Sequence, residues 1–196
     1  MKELELKYYT RDFDGGFHAI HEVKSKLLYT YRVVDENSYT KIESYYDTED
    51  FNLRKKGIYV RIDDLGRLMV KIGNNDNGLF VRDEILFSKW KDFVKFIDGF
   101  DIYSTNIKPQ FGVVTARGVL TVDLGCGIVD VCSDIFRYSD VGDNDNHYEL
   151  EFELKSGDEK ALDIIREMML EYVGDDLRPS EISKAERGFQ LMTKEG

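Results

Sequence analysis

The chain of 196 residues has only two prolines, Pro109 and Pro179, and only two cysteines, Cys126 and Cys132. With so little proline, no Gly/Ser-rich run and no fixed internal period, it shows no linker and no repeat array, so one domain spanning residues 1–196 is expected. The two cysteines lie six residues apart in an apolar stretch and read as reduced core thiols rather than a disulfide. No apolar run approaches membrane-spanning length, and the opening Met-Lys-Glu-Leu-Glu lacks an apolar signal region. A cytoplasmic protein with no membrane partner is the expectation. There is no P-loop pattern, so a nucleotide would have to be held in another way.

Two local patterns fall short of metal sites. His18 and His21 have helical i, i+3 spacing but no third ligand nearby, which favours a helix surface. The run Asp143-Asn-Asp-Asn-His147 lacks the EF-hand glycine, and its twelfth position is Leu154. It reads as a polar loop.

The formal net charge of -11 disfavours a long nucleic acid, whose binding rests on neutralising many phosphates. A small polyphosphate stays open, because a local basic cluster or bound divalent metal opposes the global charge. At 42% hydrophobic and 13% aromatic, the composition supports a packed core.

Periodicity gives many short strands. They are expected at Lys2 to Tyr9, Tyr39 to Asp47, Gly57 to Asp63, Leu68 to Ile72, Phe80 to Phe87, Phe111 to Arg117, Val119 to Asp123, Ile128 to Cys132 and His147 to Lys155. Asp64-Leu-Gly66 and the Gly73 to Gly78 run supply hairpin turns. Helices are expected at Phe17 to Tyr29, at Ser88 to Ile97 with Ser88 as N-cap, at Asp158 to Tyr172 closed by Gly174, and at Glu181 to Met192 after Pro179. The class is α+β, with one antiparallel sheet or barrel and helices outside.

The polar positions of these strands are charged. Glu3, Glu5 and Lys7 alternate with Leu4, Leu6 and Tyr8, while Glu149, Glu151 and Glu153 alternate with Leu150, Phe152 and Leu154. Side chains two apart share a face, about 7 Å from each other. Arg61 and Asp63, Lys71, and Arg117 occupy the same kind of position. A charged strand face is ordinarily the solvated side of a sheet. Here helices are available to cover the apolar positions, so the apolar face can be the outside of a closed barrel and the charged face its lumen. Such a lumen cannot pack dry and calls for water, metal or an anionic ligand.

In order along the chain, Glu3-Leu-Glu-Leu-Lys7, Tyr45-Tyr-Asp-Thr48, Gly57-Ile-Tyr-Val-Arg61, Met69-Val-Lys71, Arg82-Asp-Glu84, Arg117, Asp123-Leu-Gly125, the run from Tyr148 to Gly157, and Ser183-Lys-Ala-Glu-Arg-Gly188 resemble the CYTH superfamily of triphosphate tunnel metalloenzymes. They are most similar to its bacterial inorganic triphosphatases. The resemblance implies an eight-stranded antiparallel closed β-barrel (tunnel) that hydrolyses inorganic triphosphate with Mg²⁺ or Mn²⁺. Glu3, Glu5, Glu149 and Glu151 would hold metal, with Glu153 an adjacent candidate. Lys7, Arg61, Lys71, Arg82, Arg117, Lys184 and Arg187 would contact phosphate; Lys7 and Glu84 are the catalytic candidates, Glu84 by orienting the attacking water. The partner implied is a small triphosphate-containing substrate, and association into a homodimer is left open.

The chain also departs from the pattern. Asp63 stands where family members often have a second Arg, and Thr115 stands where many have a Lys. Both changes remove positive charge from the expected phosphate path. Adenylate cyclase, thiamine-triphosphatase and a non-catalytic polyphosphate-binding module are the competing readings.

Overall fold

The computed structural model describes residues 2–12, 14–76, 78–103, 106–172 and 177–194. Nine strands and five helices occur among them. The strands are β1 (Lys2–Thr10), β2 (Arg32–Asp47), β3 (Ile58–Asp63), β4 (Leu68–Asp76), β5 (Leu79–Phe87), β6 (Lys108–Asp123), β7 (Gly127–Ser139), β8 (His147–Gly157) and the two-residue β9 (Arg178–Pro179). The helices are α1 (Asp14–Thr30), α2 (Asn52–Lys55), α3 (Trp90–Asp98), α4 (Lys160–Met169) and α5 (Lys184–Lys194).

The sheet runs β5-β4-β3-β2-β6-β7-β8-β1, and β1 also pairs with β5. Eight antiparallel strands therefore ring a tunnel, unevenly rather than as a regular barrel, while β9 adds a short pairing to β1. Closure removes the sheet edges and separates two faces, as the alternation implied.

Outside, the apolar positions fill two cores. Leu6, Tyr8, Leu120, Val122, Val129, Val131, Leu150 and Phe152 pack with Ile20, Val23 and Leu27 of α1 and with Ala161, Leu162, Ile165 and Met169 of α4. Ile58, Val60, Leu68 and Val70 pack with Leu53 of α2 and with Phe93 and Ile97 of α3. The buried residues of α1 and α4 recur at three- and four-residue steps, so each helix lays one stripe on the sheet.

A third core closes one end of the tunnel. Here Ala185 and Phe189 of α5 meet Tyr45, Phe111, Val113, Phe136 and Tyr138 from the inner faces of β2, β6 and β7. Gly188 is required at this contact, because a Cβ there would lie 2.3 Å from the Phe111 ring. Ser183 begins the helix by accepting a hydrogen bond on its hydroxyl from Glu186 N–H at 3.2 Å. Glu186 then accepts from both Arg54 (2.6 and 2.9 Å) and the Tyr59 hydroxyl (2.9 Å), tying α5 to α2 and β3.

Several boundaries differ from the sequence reading. Strands expected at Phe111 to Arg117 and Val119 to Asp123 form one strand, since Gly118 keeps its ladder partner Ser133 and interrupts nothing. Strand β2 starts at Arg32 rather than Tyr39; its first half pairs with β6 but is exposed, so burial leaves no alternation there to read. Ser88 is not a cap: α3 starts at Trp90, with Lys89 at the N-cap position. The expected helix end at Gly174 lies outside the described residues; among the described ones α4 ends at Met169. Cys126 and Cys132 are free thiols.

Candidate functional site

Strand register, more than alternation, builds the site. Four cross-strand pairs on the lumen face are opposite in charge, Lys7 with Glu151, Glu3 with Arg82, Lys71 with Glu84 and Arg117 with Asp134, while Glu5 faces Glu153 and Asp134 faces Glu149. Directly opposed charges stabilise a sheet pair, so this lattice holds the tunnel as well as furnishing it.

The pairs interlock. Lys7 Nζ lies 2.5 Å from Glu151 and 3.3 Å from Glu5. Arg82 reaches Glu3 at 3.1 Å and also bonds Glu5. Lys71 lies 2.7 Å from Glu3 and 3.3 Å from Glu84. Arg61 bonds Glu43 and approaches Glu84 at 3.5 Å. Arg117 forks onto Asp134 at 2.5 and 2.7 Å while contacting Glu151 at 2.5 Å. From the closed end, Lys184 enters at the first position of α5 and contacts Glu149 at 2.6 Å, Glu151 at 2.7 Å and Asp134 at 2.8 Å. The Tyr138 hydroxyl fixes its backbone by donating to the Lys184 carbonyl at 2.8 Å.

These side chains surround a cavity of about 430 Å³ whose lining also includes Tyr39, Tyr45 and Tyr59, with Met69 and Ala185 the only aliphatic residues among the described ones. A larger cavity of about 560 Å³ lies outside the tunnel against α1, with mostly apolar walls. Its lining lacks the concentration of charge found in the smaller space.

Burial opposes charge on Glu3, yet the Lys71 and Arg82 cations overcome it and bring its pKa down to about 2. The same competition holds Glu151 well below the usual range, where Arg117, Lys184 and Lys7 outweigh burial. Asp134 is lowered against burial by Lys184 and Arg117. A carboxylate with a depressed folded-state pKa contributes stability that is present above its unfolded value and lost as pH falls through the folded one. For Glu3 that window runs from 4.5 down to about 2. A carbon-detected NMR titration of the ligand-free protein is expected to place the Glu3 midpoint near 2; a midpoint near the free value of about 4.3 would show that the ion pairs do not persist in solution.

Most residues singled out from sequence meet in this space. Glu3, Glu5, Lys7, Arg61, Lys71, Arg82, Glu84, Arg117, Glu151 and Lys184 line the cavity, as does Glu153 near its open end. Glu153 is bonded to Lys155 at 2.8 Å. Glu149 is fully buried behind Lys184, and its Oε1 has no hydrogen-bond partner in the protein. Arg187 is not brought in: one turn beyond Lys184, its guanidinium stacks 3.5 Å from the Tyr9 ring centroid and lines a separate small cleft with Arg11.

Asp63 takes a different place from the one its strand position suggests. Its carboxylate closes the β3–β4 turn, accepting from Leu65 N–H (3.1 Å), Arg67 N–H (2.8 Å) and Arg67 Nε (2.6 Å). Arg67 itself lines the tunnel. The acid therefore anchors a base at the mouth. Sequence reasoning also passed over Lys41, Glu43 and Asp134. The first two share the alternation of Tyr39 and Tyr45 on β2, which was signal enough to find them.

Among the described residues, no three His, Cys, Asp or Glu side chains form a ready metal cluster. The donor set nevertheless fits a hard divalent cation: buried carboxylates, with the unpartnered Glu149 Oε1 among them. Glu5 and Glu151 meet at Lys7, and Glu3 and Glu5 meet at Arg82, so the carboxylates of β1 and β8 share one space.

A closed antiparallel tunnel lined by opposed rows of bases and carboxylates defines a class of protein built to enclose a small polyanion. The CYTH domain model matches residues 1–189, and the chain belongs to that family. Tunnel enzymes of this family are generally dependent on divalent metal. No curated protein matches the sequence. Among solved structures, HpAC1 from Hippeastrum, described as an adenylyl cyclase candidate with a dominant triphosphatase activity, is 14% identical at a TM-score of 0.63, covering 98% of this chain and 96% of its own. A Bacillus halodurans protein described as an adenylate cyclase candidate is 19% identical at 0.60, covering 95% and 97%. The mimivirus capping enzyme triphosphatase is 11% identical at 0.51, covering 88% and 90%. At these identities the likeness establishes the shared fold. No helix among the described residues is long and apolar enough to cross a membrane.

Proposed function

We propose that the chain, acting as one tunnel domain in the cytoplasm, hydrolyses inorganic triphosphate to diphosphate and phosphate with Mg²⁺ or Mn²⁺. The observation that carries this reading is the cavity lining: rows of lysine and arginine interleaved with carboxylates, the set of groups that a bare polyphosphate and its metal ions need. In the ligand-free tunnel each row neutralises the other. Binding exchanges partners, with Lys7, Arg61, Lys71, Arg82, Arg117 and Lys184 turning to phosphate oxygens and Glu3, Glu5, Glu149 and Glu151 becoming free to hold metal. Divalent metal supplies charge neutralisation on the phosphates and acidifies bound water.

The reaction forms a bond from a water oxygen to the terminal phosphorus while the bridging P–O bond to diphosphate breaks. Glu84 lies directly across from Lys71 and is more open to solvent than the deeper carboxylates, which suits it to orient that water and accept its proton. Lys7, buried between Glu5 and Glu151, neutralises the leaving diphosphate in this reading.

A panel of tripolyphosphate, ATP and thiamine triphosphate with either metal tests the assignment, provided every product is identified. Release of phosphate from tripolyphosphate with the highest kcat/KM supports it. Cyclic AMP plus diphosphate from ATP would establish a cyclase, and binding without turnover under either metal a non-catalytic module.

A further inference from the structure

The tunnel cations described above are each shared by two or three carboxylates, apart from Arg67 at the mouth, which is largely exposed and holds Asp63, and Lys41, which is largely buried. Lys41 of β2 has Glu43 alone, at 3.2 Å, and Glu43 is simultaneously bonded by Arg61. Only 17% of the Lys41 side chain is exposed, and it lines both the tunnel cavity and the adjoining cleft at the mouth. Its strand neighbour in the β2–β6 ladder is Thr115, a fully buried residue whose hydroxyl has no hydrogen-bond partner in the protein. No carboxylate therefore reaches it from β6.

The groups that do face it are mostly of its own sign. Arg61 comes from β3, Arg117 from β6 and Lys184 from α5, with Glu43 on its own strand as the opposing charge. Burial first, then these cations, push the Lys41 ammonium down to about 8 against the pull of Glu43. A buried cation held at a cavity wall with half a counterion is undercompensated, and it gains more from an arriving anion than a cation already satisfied.

We propose that Lys41 is a substrate-contacting residue that binds a phosphoryl group of the polyphosphate from the β2 wall, providing on that strand the cation that Thr115 does not provide on β6. The proposal rests on the tunnel being a polyphosphate site, as argued above, and it adds a residue that the motif pattern does not contain. Removing Lys41 leaves the buried Glu43 bonded to Arg61 through its other oxygen, so the ligand-free lattice keeps that pair.

The test is calorimetric binding of tripolyphosphate to EDTA-treated protein, where turnover does not interfere, combined with thermal unfolding of the ligand-free protein. Lys41→Met is expected to weaken binding by about 10- to 100-fold, the loss typical of a charge-assisted contact, while leaving ligand-free thermal stability unchanged or raised. Lys41→Arg should retain most of the affinity, and exposed Lys91→Met on α3 should change neither quantity. Wild-type affinity in Lys41→Met, or a fall in its ligand-free stability with affinity intact, overturns the role proposed for Lys41 and leaves the tunnel assignment standing. Failure of the wild-type protein to bind tripolyphosphate overturns the tunnel assignment, and this role with it.

Discussion

Lys184→Met is expected to destabilise the ligand-free protein by about 3–5 kcal/mol, the usual consequence of removing one member of a buried ionic cluster. Its ammonium group, with a side chain only 7% exposed, is the contact common to Asp134, Glu149 and Glu151. Burial disfavours its charge, yet these three carboxylates hold its pKa well above the ordinary lysine value. Without it, Asp134 and Glu151 keep Arg117, and Glu151 keeps Lys7. Glu149 keeps no ion-pair partner among the described residues, and its other oxygen already lacks one. The damage should therefore concentrate there.

Two further readouts follow from that placement. The double variant Lys184→Met with Glu149→Gln should recover part of the loss, because the two changes remove both ends of one contact and do not add independently. The deficit of the single variant should also shrink between pH 8 and pH 5, since the folded variant takes up a proton on an orphaned carboxylate that the unfolded chain does not yet bind. Urea unfolding across that pH range measures both effects. A single variant within about 1 kcal/mol of wild type would mean that water solvates the closed end of the tunnel and that Lys184 is not an ionic keystone.

The contrast between these residues explains what was legible in the sequence. Alternation at Glu3, Glu5 and Lys7, and again at Glu149, Glu151 and Glu153, identified a charged face, and helices able to cover the opposite face made a closed tunnel the consistent solution. Which charge opposes which is a matter of register. Register is fixed by closure and by irregularities such as the shifts at Val33/Asp35 and Tyr45/Tyr46 in the β2–β6 pair, none of which has a local signature. Asp134 stayed hidden because the strand reading stopped at Cys132, whereas β7 continues to Ser139. Arg67 stayed hidden because it follows a turn; only the Asp63 carboxylate, bonded to its backbone and its guanidinium, carries it to the tunnel wall. Lys184 and Arg187 are three apart on one helix and read alike, but the tunnel ends between them, so one enters the lumen and the other stacks on Tyr9 outside it.

Glu5→Gln should have the opposite profile from Lys184→Met: near-normal stability with metal-dependent turnover reduced by about 100-fold or more at limiting Mg²⁺, as for loss of a group that sets metal affinity. Glu5 is 2% exposed and contacts Lys7 and Arg82. Both cations keep another carboxylate when it is neutralised, Lys7 retaining Glu151 at 2.5 Å and Arg82 retaining Glu3 at 3.1 Å. Gln fills the same volume, so no cavity and no unpaired cation results. What it lacks is the formal charge, and a hard divalent cation discriminates sharply between a carboxylate and an amide oxygen. Raising Mg²⁺ should return part of the activity if affinity is what was lost, and electron paramagnetic resonance of added Mn²⁺ should show weakened binding independently of turnover. Should the variant bind Mn²⁺ as tightly as wild type and turn over tripolyphosphate normally, Glu5 serves the salt-bridge lattice alone, and the metal must be held by Glu3, Glu149 and Glu151 without it.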